Sequence, residues 1–125
     1  MINEKNRVYG KTKEIPLDKL KELFNHKELN FIKIALLFGS RARGDYHNRS
    51  DYDFAILMDN SVDKSWGAKT TAYLMISKVL QLDDCDIDIV DLKSAKGAIL
   101  DDIKSCYKVI KGNPNEVSRI FAKKY

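Results

Sequence analysis

Apolar positions along the chain switch between helical and extended spacing. Residues 1–14 are polar and mixed in charge, which predicts a frayed start or an edge element. From Pro16 the apolar residues Leu17, Leu20, Leu23 and Phe24 share one face of a helix expected to stop near Asn30. Proline suits that first turn, because its missing N–H would have no partner there anyway. Phe31 to Phe38 is almost continuously apolar, the mark of a strand buried on both faces with layers above and below it. Gly39-Ser40 ends the strand, and Ser40 is expected to cap a short helix through Arg41-Ala42-Arg43.

Gly44 to Arg49 reads as polar turn, and Ser50 to Met58 as a second strand. A helix from about Lys64 to Gln81 presents Ala68, Ala72, Met75, Ile76 and Val79 on its inner stripe. Cys85 to Leu92 makes a third strand, about Ala95 to Lys104 a helix, and Cys106 to Ile110 a short final strand. Lys111 to Pro114 is a turn before a closing helix from Asn115 to Lys124. Strands alternating with helices predict an α/β or α+β domain.

Composition narrows this to one domain, 1–125, because 125 residues with 44% hydrophobic side chains suffice for a single core. The longest apolar run, Ile34 to Phe38, is far short of the ~20 residues a membrane helix needs. No secretory pattern follows Met1, so a cytoplasmic protein is expected, with Cys85 and Cys106 as buried reduced thiols. The net charge of +4 permits a polyanionic partner. Basic residues are scattered, however, apart from Arg41, Arg43, Arg49 and Lys123-Lys124, so direct nucleic-acid binding is not expected. A Gly-Lys-Ser/Thr phosphate loop and a GxGxxG fingerprint are both missing.

Strand alternation puts Asp51, Asp53, Ala55 and Leu57 on one side of the second strand, with Tyr52, Phe54, Ile56 and Met58 on its evident core face. The two carboxylates stand roughly 6.5–7 Å apart at their Cα atoms and repel unless a cation or strong donors lie between them. Hard oxygen ligands of this kind suit Mg²⁺ or Mn²⁺. Asp86 and Asp88 share a face of the third strand, so a third carboxylate joins if the strands are neighbours. Three carboxylates can hold two ions that activate an attacking hydroxyl and neutralise a pyrophosphate leaving group. Gly39-Ser40 would let backbone N–H groups approach a phosphate, and Arg41 or Arg43 could pair with its oxygens. The plainer reading of those arginines is a solvated turn or salt bridges to Asp45 and nearby acids. His26 and His47 have no partner at zinc-ligand spacing, and Tyr46 and Tyr52 read as packing or loop residues. Asp83-Asp84 reads as turn, Asp101-Asp102 as helix surface, and Asp91 as facing away from Asp88.

Gly39-Ser40, ten residues, then Asp51-Tyr52-Asp53 resembles the signature of the DNA-polymerase-β-like nucleotidyltransferases. Leu37-Phe38-Gly39-Ser40-Arg41-Ala42-Arg43-Gly44 with Ser50-Asp51-Tyr52-Asp53 is most similar to the minimal nucleotidyltransferases, many of them antitoxins encoded beside a HEPN-domain toxin. The resemblance covers about Leu17 to Ile110 and implies a mixed-sheet nucleotidyltransferase fold. It further implies that ATP or another nucleoside triphosphate binds with Mg²⁺ and that a nucleoside monophosphate, AMP in the case of ATP, passes to a hydroxyl. Gly39 and Ser40 would hold the triphosphate, and Asp51 and Asp53 would ligate metal. Ile87-Asp88-Ile89-Val90-Asp91-Leu92 matches the family's third acidic motif, making Asp88 the third acid and candidate base, with Asp86 its competitor. An acceptor domain is not expected within this length, so the acceptor is either small or brought by another protein; the resemblance implies a tyrosine of a HEPN-type toxin partner. Two alternatives stay open: neutralisation of the partner by occlusion alone, and transfer to a small molecule such as an aminoglycoside.

Overall fold

The computed structural model describes residues 7–8, 11–59 and 67–124; Trp66 and the expected helix start at Lys64 lie outside them. β1 (Arg7–Val8) and β2 (Lys11–Thr12) form a small antiparallel pair, the edge element expected of this segment. The Thr12 N–H donates to the Asn48 carbonyl at 2.7 Å and fastens it to the turn after Gly44.

The helix expected to reach Asn30 is instead two pieces, α1 (Leu17–Phe24) and a 3-10 turn, Lys27–Leu29. The Asn25 side chain donates to the Lys21 carbonyl, and His26 is extended (φ −61°, ψ 143°). The His26 ring then accepts the Glu28 N–H at 3.1 Å and starts the second turn. Asn and His compete with the helix ladder through such local bonds.

β3 (Ile32–Phe38), α2 (Ser40–Arg43), β4 (Tyr52–Met58) and α3 (Ala68–Leu80) follow, then a 3-10 turn at Asp84–Asp86 and β5 (Ile87–Asp91). α4 (Gly97–Ser105), β6 (Tyr107–Lys111) and α5 (Pro114–Ala122) complete the order. α5 starts cleanly, with Pro114 in its first turn and the Asn113 side chain accepting the Asn115 N–H. The main sheet runs β5-β4-β3-β6, with β4 and β5 parallel and the other pairs antiparallel. It is the mixed α/β sheet that the sequence implied.

Both sheet faces are covered. Ala35, Leu37, Tyr52, Phe54, Ile56, Ile87 and Ile89 pack with Leu20 and Phe24 of α1 and Ala72, Ile76 and Leu80 of α3. On the other face, Ile34, Leu36, Phe38 and Ala55 pack with Leu100 and Ile103 of α4 and Val117 and Phe121 of α5. At about 1.5–3 kcal/mol for each large apolar side chain fully buried, this two-sided burial is what holds β3 and β4 in the middle of the sheet. The side of β4 that carries Asp53 is therefore core as well, a correction to the one-sided reading of that strand: Ala55 is buried and Leu57 packs against the second cluster.

Two smaller expectations are also corrected. Gly39, not Ser40, is the N-cap of α2, and no side chain caps it. Cys85 is exposed and Cys106 half-buried, because Cys85 belongs to the 3-10 turn and the strand starts at Ile87. Among the described residues, no helix is long and apolar enough to cross a membrane.

Candidate active site

The corner between β3 and α2 positions the site. Gly39 has φ +73° and ψ −158°, a conformation essentially restricted to glycine. Phe38 pairs with Asp53 across the antiparallel ladder, so the next residue, Gly39, lies against the Asp53 carboxylate. A Cβ built on Gly39 would overlap Asp53 Oδ2 and stand 3.0 Å from its Cγ. Glycine is thus required here twice, by its backbone angle and by its neighbour. Ser40 opens α2, whose first N–H groups have no partner within the helix.

The acidic residues come from β4 and β5. In their parallel register Asp53 stands opposite Asp88, so both side chains project from the same face. Asp51 is exposed just before β4 starts. Burial is the main cause that pushes the Asp53 carboxyl up to about 6 from its usual 3.8, and the charges of Asp88, Asp51 and Asp102 add to it, with Arg43 opposing. The structure therefore brings Asp51, Asp53 and Asp88 within electrostatic reach of one another. Such a donor set, all carboxylate oxygens in a mutual repulsion that Arg43 only partly offsets, fits a small hard divalent cation.

Asp86, the alternative third acid, is placed elsewhere. It lies in the turn before β5, 1% exposed, and its carboxylate groups with Asp83 and Cys85. Asp91 faces away from Asp88 and accepts the Lys93 N–H at 3.0 Å, as its position at a strand end suggests.

The two candidate phosphate arginines part company. Arg41 is buried, donating from Nε to the Ser50 carbonyl at 3.0 Å and from Nη1 to Glu14 Oε1 at 3.0 Å and the Tyr52 hydroxyl at 3.3 Å. Its guanidinium also lies over the Tyr46 and Tyr52 rings, 4.6 and 4.2 Å from their centroids. Tyr52 points away from the Asp53 side of β4, so Arg41 is committed to the opposite face. Arg43 stays on the acidic side, reaching Asp45 at 3.2 Å and Asp102 at 3.6 Å. The two histidines act on backbone: the His47 ring accepts the Arg49 N–H, as the His26 ring accepts that of Glu28.

Two residues near the acids had not been expected. Asp102, read as helix surface, approaches Asp53 and Arg43 because α4 packs across the sheet end. The Tyr73 hydroxyl of α3 donates to Asp88 Oδ1 at 3.1 Å. Neither has a sequence signal, since both contacts join residues from separate elements.

The Gly39-Ser40 corner lies against Asp53, with Asp51 and Asp88 in electrostatic reach and Arg43 nearby, a set of groups chemically suited to a phosphate and a hard cation. Residues 18–116 match the family described as Polymerase beta, Nucleotidyltransferase, and the chain belongs to it. It is 28% identical over 93 residues to the protein adenylyltransferase MntA of Shewanella oneidensis, a stretch covering 74% of this chain and 63% of that protein. Its fold is similar to a crystal structure of a toxin–antitoxin with AMP-PNP, with a TM-score of 0.65, 24% identity, and coverage of 87% of this chain and 83% of that one. It is also similar to a complex of the tri-AMPylated Shewanella oneidensis HEPN toxin with MNT antitoxin, with a TM-score of 0.57, 21% identity, and coverage of 86% and 78%.

Proposed function

We propose that this chain is a Mg²⁺-dependent nucleotidyltransferase that moves AMP from ATP to a tyrosine hydroxyl of a cognate HEPN-type toxin, and so acts as its antitoxin. The observation that carries the reading is the Asp53–Asp88 register beside Gly39. Asp51, Asp53 and Asp88 would hold the metal, with Mn²⁺ a competent substitute. Once bound, the cation supplies charge neutralisation on the triphosphate and on the pyrophosphate that departs.

The chain's own residues do the rest. Gly39 and Ser40 bring backbone N–H groups to the triphosphate tail. Arg43 exchanges Asp45 and Asp102 for phosphate oxygens, since its salt bridges are exposed and weak. Arg41 keeps the corner in shape. Asp88, exposed on the edge strand β5, is open to an acceptor brought by another protein and takes the proton of its hydroxyl. The acceptor oxygen forms its bond to the α-phosphorus as the bond to pyrophosphate breaks. The adenylyltransferase and AMPylated-toxin relatives support this direction of transfer.

The purified chain, its co-encoded partner, ATP and Mg²⁺ should give one added AMP mass per modified tyrosine. A complex that forms and stays unmodified would leave occlusion as the mode of neutralisation. Toxicity rescue that survives Asp51→Asn with Asp53→Asn would say the same in cells.

A further inference from the structure

β5 is an edge strand, so half of its backbone N–H groups point away from the sheet and need other partners. The Ile89 N–H is one of them, and it donates to the Tyr73 hydroxyl at 3.0 Å. That hydroxyl has a single proton, and it goes to Asp88 Oδ1 at 3.1 Å. Backbone, phenol and carboxylate therefore form one directed chain, in which Ile89 fixes the phenol oxygen and the phenol fixes the carboxylate. The ring is held from behind, half-buried against the α1/α3 core cluster.

Asp88 needs such support. It is exposed on the outermost strand, opposite a half-buried Asp53 whose charge repels it. An exposed aspartate in that field would rotate towards water.

We propose that Tyr73 is a positioning residue: its hydroxyl holds Asp88 Oδ1 and so fixes the carboxylate that completes the cation site. The inference rests on the reading of Asp51, Asp53 and Asp88 as metal ligands. Groups that hydrogen-bond a ligating carboxylate typically change metal affinity or activity by roughly 10–100-fold when removed.

Tyr73→Phe keeps the ring and its packing and removes only the hydroxyl. Mn²⁺ binding to the full chain, measured by calorimetry without nucleotide, should weaken about tenfold, while the melting temperature without metal drops only by the cost of leaving the Ile89 N–H without its acceptor. Adenylyl transfer should lose kcat with little change in KM for ATP, because the triphosphate contacts lie at Gly39, Ser40 and Arg43. In an Asp88→Asn background the same change should cost nothing further, since the residue it orients is gone. Unaltered Mn²⁺ affinity in Tyr73→Phe, alongside a loss in Asp88→Asn, would overturn the positioning role and leave the metal reading intact. Equal losses from Tyr73→Phe in both backgrounds would also overturn it. Failure of the wild-type chain to take up Mn²⁺ would remove the metal reading and this inference together.

Discussion

Arg41 and Arg43 stand two residues apart on one helical turn and end in opposite surroundings. Arg41 turns inward to Ser50, Tyr52 and Glu14 with aromatic rings against its guanidinium, whereas Arg43 reaches exposed carboxylates beside the acid cluster. Arg41 is buried and paired with Glu14, though its Nη2 has no hydrogen-bond partner. The other neighbourhood carries excess negative charge, which adds to burial in pushing Asp53 up to about 6. The difference separates what holds the corner in place from what the corner does. Arg41 has its charge matched by Glu14 within the fold, whereas the carboxylates around Asp53 exceed what Arg43 offsets.

Substitutions at this corner can break the contrast, and Asp53→Asn has the largest expected effect. Transfer should fall by about a hundredfold or more, since a ligand outweighs the partner that orients it. Stability should move the other way. Because the folded-state value of Asp53 is raised, the native protein binds a proton that the unfolded chain releases, and its stability falls as pH rises from about 4 to about 6. Asp53→Asn should therefore melt higher than wild type at pH 7.5, with the gain gone below about pH 4. Melting curves at the two pH values check this.

Gly39→Ala should come next. Its Cβ meets the Asp53 carboxylate in a backbone conformation closed to alanine, so both stability and transfer should fall, stability by about 1–3 kcal/mol in denaturant titration. Arg41→Met should cost about 2–3 kcal/mol by losing buried charge-assisted bonds, yet leave KM for ATP near the wild-type value. Arg43→Met should show the reverse, an unchanged melting temperature and a KM for ATP raised several-fold. Identical behaviour of the two arginine variants would erase the distinction.

Much of this site was legible because its elements are local. The Gly39-Ser40 corner is a run of adjacent residues, and alternation within single strands assigns Asp53 and Asp88 to their faces. What escaped was decided by contacts between elements. Only packing shows that Arg41 follows Tyr52 to one face while Arg43 stays on the other. Asp86 left the strand because β5 starts at Ile87, two residues later than expected, and strand boundaries carry no sharp sequence mark there. Asp102 and Tyr73 reach the acids from α4 and α3, each at long separation in the chain. The break at Asn25-His26 came from side chains bonding to nearby backbone, which apolar spacing does not register.

If Asp51, Asp53 and Asp88 hold a cation as proposed, the charged form of Asp53 is disfavoured until the cation binds, and carbon-13 NMR titration of its carboxylate measures that directly. Asp53 should titrate near 6, and saturating Mg²⁺ should drive the midpoint well down, because a bound cation favours the charged form. A midpoint near 4 that ignores Mg²⁺ would contradict the account.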